Sequence, residues 1–367
     1  MSDNQHRFVV LLLDWFSRHQ RPLPWRRHYQ PYHIFISEIM LQQTQMERVV
    51  PYFNRWITRL PDIDSVAEAH EDEILKLWEG LGYYCRARNL QRAARRVVAD
   101  GGVIPADREK LLALPGIGPY TANAILSIAY NHDFPVVDAN VERLYARLFN
   151  LAAPIKSAEG KRFLRGKAAT MLPSGQSRLF NQALMELGAL ICLARGPLCS
   201  SCPVASLCRA KMDDLVSQRP VSVPKRQTLF IEMATGILQR GDRMLIQKRR
   251  ADDVWANLWE FPGGRLKEGE SPEEAVIREF REETGLAIES TEKIISVRHS
   301  YMHYRVLLHG FHCIMANNDS TEPATHAAQE NRWVTLEELN GFAFPAGHRK
   351  LIDYLQGRAT EKGQKGR

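Results

Sequence analysis

Four cysteines fall within 17 residues, at Cys192, Cys199, Cys202 and Cys208. Thiolates this close along a chain suit metal ligation. Zinc sites more often use two C-x2-C pairs and only one is present here, yet the spacing alone leaves both a structural zinc and an iron–sulfur cluster open. Arg195, Arg209 and Lys211 flank the set, so a structural site facing a polyanion is expected. Cys85 and Cys313 are isolated and read as small apolar residues.

A second group lies upstream. Leu114 to Asn140 opens Leu-Pro-Gly-Ile-Gly-Pro-Tyr, runs through an apolar helical stretch and ends Phe-Pro-Val-Val-Asp-Ala-Asn. Gly116 and Gly118 let the backbone approach a partner closely, and N–H groups at a helix start bind an anion. Pro119 suits the first position of that helix. Pro-Gly-x-Gly alone fits an ordinary helix connection equally well. Asp138, 20 residues after Gly118, makes the functional reading specific: a turn that grips a nucleic-acid phosphate, then a carboxylate facing the attached sugar.

Glu38 lies in His33-Ile-Phe-Ile-Ser-Glu-Ile-Met-Leu-Gln-Gln-Thr-Gln. Its helical neighbours at i±3 and i±4 include no cation. A carboxyl in such surroundings loses hydration and its pKa rises, which suits a general acid near neutral pH. A glutamate at a polar helix edge, or one paired with a distant arginine, is the alternative. Further on, Gly264-x5-Glu270-x7-Arg278-Glu279-Phe280-x-Glu282-Glu283-x-Gly285-Leu286 places Glu279, Glu282 and Glu283 on one helical face. Three carboxylates there repel unless a hard cation such as Mg²⁺ sits among them. A solvated acidic face is the alternative, plausible for any three glutamates, but the full spacing argues against it.

These residues need elements to position them. Helix-length segments run over 8–18, 31–45, 47–60, 65–69, 71–79, 86–99 and 108–113, then 141–149, 157–171 and 177–193, with Pro and Gly between them. Few alternating patterns occur before residue 225, so this part reads as all-α. Residues 1–212 form the expected helical domain and 213–227 a linker, where Ser217 to Gln227 is polar and carries two prolines. The period then changes. Strand-like stretches at 229–238, 243–248, 293–298, 304–314 and 332–335 surround a helix at 272–284, and 337–339 and 348–355 look helical. That describes a mixed α+β domain over 228–357, with a loose basic tail at 358–367.

Charge divides along the same line. Residues 1–225 hold 29 basic against 21 acidic side chains, and the remainder 20 against 21. A basic first part suggests a polyanion partner. No apolar run approaches the roughly 18 residues of a membrane span, and the start lacks a basic signal region. A cytoplasmic or nucleoid location is expected, without membrane association, and a secreted disulfide framework is not expected.

The glycine hairpin followed by Asp138 resembles the helix-hairpin-helix DNA glycosylases of the endonuclease III superfamily, and the cysteine spacing matches their four-iron four-sulfur loop. Ser37-Glu-Ile-Met-Leu-Gln-Gln-Thr-Gln, Gly80-Leu-Gly-Tyr-Tyr-Cys-Arg-Ala-Arg-Asn, Leu23-Pro-Trp-Arg and Phe180-Asn-Gln-Ala-Leu-Met-Glu-Leu-Gly-Ala are similar to signatures of its MutY branch, which removes adenine mispaired with 8-oxoguanine or guanine. The resemblance covers nearly all of residues 7–212. It implies that Glu38 protonates the base, that Asp138 stabilises the sugar cation, and that Tyr120 and Asn140 sit beside that sugar. It implies DNA contacts for Arg26, Gln42, Gln43, Tyr83, Gly116 and Gly118, with Gln42 and Tyr83 wedged into the duplex. Without it, core packing is the reading for Tyr83 and Tyr84. Members that cleave through a Schiff base carry lysine two residues after the hairpin's last glycine. Tyr120 stands there, which favours water as nucleophile.

The acidic pattern resembles a Nudix box, with Phe280 where an aliphatic residue is usual, and Trp259-Glu-Phe-Pro-Gly-Gly precedes it. MutY proteins carry a MutT-like C-terminal domain that has usually lost this box, so Mg²⁺ at Glu279, Glu282 and Glu283 and some nucleotide hydrolysis are implied. The loop that reads 8-oxoguanine is usually Phe-Ser-His. Here it is Tyr301-Met-His, and Met302 lacks the hydrogen bonds of a serine. The expected architecture is an all-α glycosylase domain with an iron–sulfur loop, then an α+β Nudix-like domain. The expected partner is double-stranded DNA bearing an adenine mismatch, bound by a monomer. Alternatives are a lyase acting on oxidised pyrimidines, a non-enzymatic DNA-binding or iron–sulfur sensing module, and a Nudix hydrolase tethered to DNA.

Overall fold

The computed structural model describes residues 3–221, 228–301, 304–316 and 321–365. The chain divides into two compact units: Met1–Ala69 with Arg88–Lys225, and His70–Ala87 with Arg226–Arg367. Among the described residues, all strands lie in the second unit.

In the first unit, the helix Asp3–His19 buries Phe8, Leu12, Trp15 and Phe16, spaced as one helical face. They pack with Tyr145, Phe180, Leu184 and Leu187 from the helices Ala139–Leu148 and Ser177–Leu190. The helix Pro31–Leu41 starts on Pro31 and buries every residue from Ile34 to Met40. A helix apolar all round belongs inside a protein. It stops at Leu41, short of the expected 45, because Gln42 turns extended at ψ 113° and Gln43 adopts φ +57°. Asp107 caps the short helix Arg108–Leu112 by accepting from the Lys110 N–H at 2.9 Å. The glycine turn follows, then the helix Pro119–Tyr130, which Asn131 ends in the left-handed region at φ +58°.

The second unit is built on seven strands: β1 Leu229–Arg240, β2 Arg243–Arg249, β3 Trp259–Glu260, β4 Gly263–Arg265, β5 Ile288–Tyr301, β6 Tyr304–Met315 and β7 Ala328–Thr335. β1 pairs in parallel with β6 and antiparallel with β2 and β4; β5 pairs with β6, and β3 and β7 pair with β2, all antiparallel. Successive β1 side chains point to opposite faces. Ala234 and Leu238 meet Ala275, Val276 and Phe280 of the helix Pro272–Thr284. Ile237 faces Leu351 and Ile352 of the helix Ala346–Lys365. β5 and β7 begin earlier than their apolar patterns suggest, because ladder pairing continues through polar residues such as Glu289 opposite Ile314. β3 has two residues and β4 three, two of them glycines, so neither is long enough to show a pattern.

His70–Ala87, helical in sequence and continuous with the first domain there, packs with the sheet unit. Its helix Glu71–Trp78 pairs Asp72 with Lys248 at 2.7 Å. Of the isolated cysteines, Cys313 is buried as expected, whereas Cys85 is exposed at the first position of the helix Cys85–Ala99.

Phe280, the residue off pattern in the acidic box, fits because Gly236 lies beneath it. A Cβ on Gly236 would stand 2.5 Å from the Phe280 ring. Gly236→Ala is therefore expected to lower stability by about 1–3 kcal/mol, the usual overpacking cost. Adding Phe280→Leu should recover part of the loss, measured by thermal unfolding.

Candidate active site

Glu38 is 4% exposed, and its Oε2 has no hydrogen-bond partner among the described residues. Burial first, and the nearby Asp138 second, push its carboxyl up to about 7, while Arg26 opposes the shift. That rise amounts to about 3 kcal/mol in favour of the protonated acid. Arg26 cannot simply neutralise it. Its guanidinium donates to Gln182 Oε1 at 2.9 Å, to the Arg21 carbonyl at 3.0 Å and to Glu186 Oε2 at 3.2 Å. The side chain is 8% exposed. Arg26 thus faces inward, where the resemblance implied a DNA contact. Glu186, fully buried, also takes Arg21 at 2.9 Å.

Asp138 occupies the N-cap of the helix Ala139–Leu148. Its Oδ1 accepts from the Val141 N–H at 2.7 Å and its Oδ2 from Asn140 Nδ2 at 2.9 Å. Burial raises its pKa, and these donors and Arg143 pull the other way. Asn140 is fixed in turn: Arg143 Nη2 donates to Asn140 Oδ1 at 2.9 Å and to the Gly188 carbonyl at 2.7 Å. The approach to Asp138 is held by two buried or half-buried amides. Asn181 accepts from the Val136 N–H at 3.1 Å and donates to the Phe134 carbonyl at 2.8 Å, and Asn123 donates to the Pro135 carbonyl at 3.0 Å. Asn181 and Gly188 fall inside the signature Phe180–Ala189 without a role of their own there, and Asn123 and Arg143 were not singled out. A buried amide such as Asn181, at 1% exposure, must find partners, and that demand was the available clue.

Tyr120 is half-buried on the first turn of the helix Pro119–Tyr130. Burial, then Glu38, then Asp138 raise its hydroxyl well above the usual value. Glu38, Asp138 and Tyr120 therefore share one electrostatic environment. Tyr120 stays neutral there, and it offers no amine. Gln42 reaches the same hairpin, donating to Thr121 Oγ1 at 3.0 Å. Gly116 needs to be glycine twice over, for φ +77° and because a Cβ would stand 2.8 Å from Asn89 Cβ. A Cβ on Gly118 would meet nothing within 4 Å, so that face of the turn is open for a ligand. Gln43 is exposed just outside the helix that carries Glu38.

The four clustered cysteines are unbridged and line one cavity with Leu144, Leu148 and Ile191. Arg147 Nη1 lies 3.3 Å from Cys192 Sγ. Among the described residues, no three His, Cys, Asp or Glu side chains gather closely enough for a single metal ion. Zinc would draw its thiolates to about 2.3 Å from one point. The four thiols converge on one cavity, a donor set that suits a metal–sulfur group.

The acidic box engages its carboxylates with groups of the protein itself. Arg278 pairs with Glu270 at 2.6 Å, Glu279 at 2.8 Å and Glu282 at 3.0 Å, and it holds Glu270 down to about 2. Glu283 accepts from the Gly263 N–H at 3.0 Å and Gln247 Nε2 at 2.7 Å. Burial and then Glu260 push Glu283 up to about 8. Tyr84 is buried at 7% exposure, while Tyr83 is half-buried at φ +50°. Met302 and His303 lie outside the described residues.

Two known families match the chain. The HhH-GPD superfamily of base excision DNA repair proteins matches residues 36–166, and the NUDIX domain family residues 233–354. The human adenine DNA glycosylase is 32% identical, over 95% of this chain and 73% of its own length. That of Buchnera aphidicola subsp. Baizongia pistaciae is 36% identical, over 70% of this chain and 73% of its own. The chain belongs to the adenine DNA glycosylase family. Among solved structures, a thermostable thymine-DNA glycosylase superposes with TM-score 0.53 at 31% identity, covering 57% of this chain and 97% of that one. Endonuclease III in a non-covalent DNA complex gives TM-score 0.50 at 23% identity, over 59% and 99% of the two chains, and shares the fold. This adenine glycosylase family member thus joins a helical glycosylase fold to a NUDIX domain.

Gly188 controls the Asp138 network through its missing side chain, since a Cβ there would stand 2.6 Å from Asn140 Cβ. Gly188→Ala is expected to slow glycosylase turnover by about 10²-fold, as displacements near 1 Å do. Single-turnover kinetics, run well below the variant's measured unfolding temperature, would check it.

Proposed function

We propose that the protein removes adenine from double-stranded DNA where adenine stands opposite 8-oxoguanine or guanine, by hydrolysis of the N-glycosidic bond. The observation that carries this reading is the buried Glu38 carboxyl, whose Oε2 has no partner and whose pKa is pushed up to about 7 beside Asp138. Glu38 donates its proton to the departing base. The glycosidic electron pair leaves with adenine, and Asp138, ionised, faces the oxocarbenium-like sugar. Water adds to the sugar carbon, and its proton passes to the ionised Glu38. Tyr120 and Asn140 border the sugar, and the open face at Gly118 suits a phosphate.

Extruding the base requires contacts that fill the gap, a role we assign to Gln42 and Tyr83, with Gln43 beside them at the DNA. Cys192, Cys199, Cys202 and Cys208 hold a four-iron four-sulfur cluster, which cross-links the loop that follows the helix Ser177–Leu190. The protein acts as a monomer on chromosomal DNA. No helix among the described residues is long and apolar enough to cross a membrane. We leave Mg²⁺ at Glu279, Glu282 and Glu283 dependent on release of Glu279 and Glu282 from Arg278.

The sign of the pH dependence follows from Glu38. The acid works while protonated, so single-turnover release of adenine is expected to fall tenfold per pH unit above about 7. Glu38→Gln should lose 10²-fold or more, and turnover at the wild-type rate would end the assignment. Borohydride should trap no covalent complex, because the hairpin offers no amine. Cys199→Ser should lose bound iron and the visible absorbance of the cluster, measured on purified protein.

A further inference from the structure

The turn Gly80–Tyr83 runs through left-handed backbone, which is free to its glycines but costly at Tyr83. Gly80 has φ +96°, Gly82 +77° and Tyr83, which is no glycine, +50°. Such backbone persists only where its surroundings over-determine it. Part of the restraint is local: Trp78 Nε1 donates to the Gly82 carbonyl at 3.1 Å, and Arg86 Nη2 to the same oxygen at 3.0 Å. The Arg86 guanidinium also lies 5.6 Å from the Tyr83 ring centre.

The rest comes from the NUDIX sequence, some 260 residues away along the chain. Glu79 Oε1 accepts from the Phe344 backbone N–H at 2.9 Å and from Arg349 Nε at 2.8 Å. Its side chain and that of Arg349 are 12% and 18% exposed. On the other side of the turn, the Tyr84 hydroxyl donates to the Phe344 carbonyl at 3.2 Å. Lys76 Nζ pairs with Glu79 and donates to the Phe342 carbonyl at 3.0 Å. The Arg349 guanidinium donates to the Phe342 carbonyl at 2.8 Å and packs 5.2 Å from the Phe344 ring centre. One peptide-length stretch, Phe342 to Phe344, thus grips both flanks of the tyrosine turn. Charge-assisted hydrogen bonds shielded from water are the strong kind.

We propose that the NUDIX unit is a positioning device for the glycosylase: Glu79, Arg349 and the Phe342–Phe344 backbone clamp the turn that presents Tyr83 to DNA. This inference rests on the reading of Tyr83 as a residue inserted into the duplex. Arg349 touches no reacting atom. It acts through Glu79 on the backbone of Gly80–Tyr83, and so decides whether the ring is delivered at the right angle.

The test uses the full chain and a duplex with 2-aminopurine next to the mismatch, whose fluorescence rises when a wedge unstacks it. Glu79→Gln keeps the acceptor for the Phe344 N–H and removes only the charge. Arg349→Ala removes the whole donor, and Arg349→Lys restores a cation. Glu79→Gln and Arg349→Ala are each expected to weaken duplex binding about tenfold and to lower the fluorescence rise toward that of Tyr83→Ala. Arg349→Lys should recover part of it. Combining Arg349→Ala with Tyr83→Ala should add little, because both act on one insertion. Unfolding temperatures identify any variant that fails to fold, and Glu79→Gln then decides. If Tyr83→Ala suppresses the signal while Glu79→Gln and Arg349→Ala preserve it, or if the losses multiply, the clamp is wrong and the wedge stands. If Tyr83→Ala itself leaves the signal intact, the wedge reading falls and the clamp falls with it.

Discussion

Asp138 caps the helix Ala139–Leu148 with the carboxylate it turns toward Glu38, so its position is tied to a backbone amide rather than to a rotamer alone. The tie continues outward. Asn140 bonds Asp138, Arg143 bonds Asn140, and the same Arg143 donates to the Gly188 carbonyl and, through Nε at 2.7 Å, to the Cys192 carbonyl. One turn further along the helix, Arg147 meets the Cys192 sulfur. A half-buried arginine and a buried one, a turn apart on one helical face, therefore join the carboxylate to the cysteine loop. Each satisfies backbone carbonyls at the end of the helix Ser177–Leu190 that would otherwise lack partners. A loop with little apolar core of its own is fixed this way, and so is the angle at which Asp138 stands.

Glu38 and Asp138 illustrate how environment divides roles between like groups. Both are carboxyls and both lose hydration. Asp138 keeps donors on each oxygen and sits at a helix N-terminus, where negative charge is favoured. Glu38 has an oxygen with no partner and a neighbour of its own sign. The donors on both Asp138 oxygens favour its ionised form, and the unpartnered oxygen of Glu38 favours the protonated one. The ion pairs of Arg26 with Glu186 sharpen the division, because the one cation that opposes the Glu38 shift is already engaged.

The sequence carried the helical first part, the sheet-rich second part and most element boundaries, because long periodic stretches and Pro or Gly punctuation are local properties. The raised Glu38 acid was legible for the same reason: an all-apolar helix leaves a carboxyl nowhere to hydrate. Arg26 was misread. Its motif named it, but only the fold reveals Glu186 opposite, 160 residues later. Gln43 ended a helix that its apolar pattern would have prolonged. Gly188 stands in the signature Phe180–Ala189, yet its role appears only when Asn140 is placed against it. His70–Ala87 reads as one more helical segment, and no local signal announces that its polar face is matched to Lys248, Phe344 and Arg349.

The acidic box raises a different question, since its spacing survives while its carboxylates are engaged inside the protein. Glu279 lies where a Cβ on Gly264 would stand 2.3 Å from its Oε1. Glu283 holds the Gly263 N–H, and Arg278 gathers Glu270, Glu279 and Glu282. These contacts fasten β4 and the loop after it onto the helix Pro272–Thr284. The box thus does structural work with the same residues a metal would use, so its spacing can persist without hydrolysis being selected. Phe280 fits that view. A larger residue on the buried side of the box helix, matched by Gly236 beneath it, tightens the seam between helix and β1 and leaves the acidic face untouched. Rigidity is what such packing supplies, and rigidity is what a body gripping Gly80–Tyr83 through Phe344 and Arg349 requires.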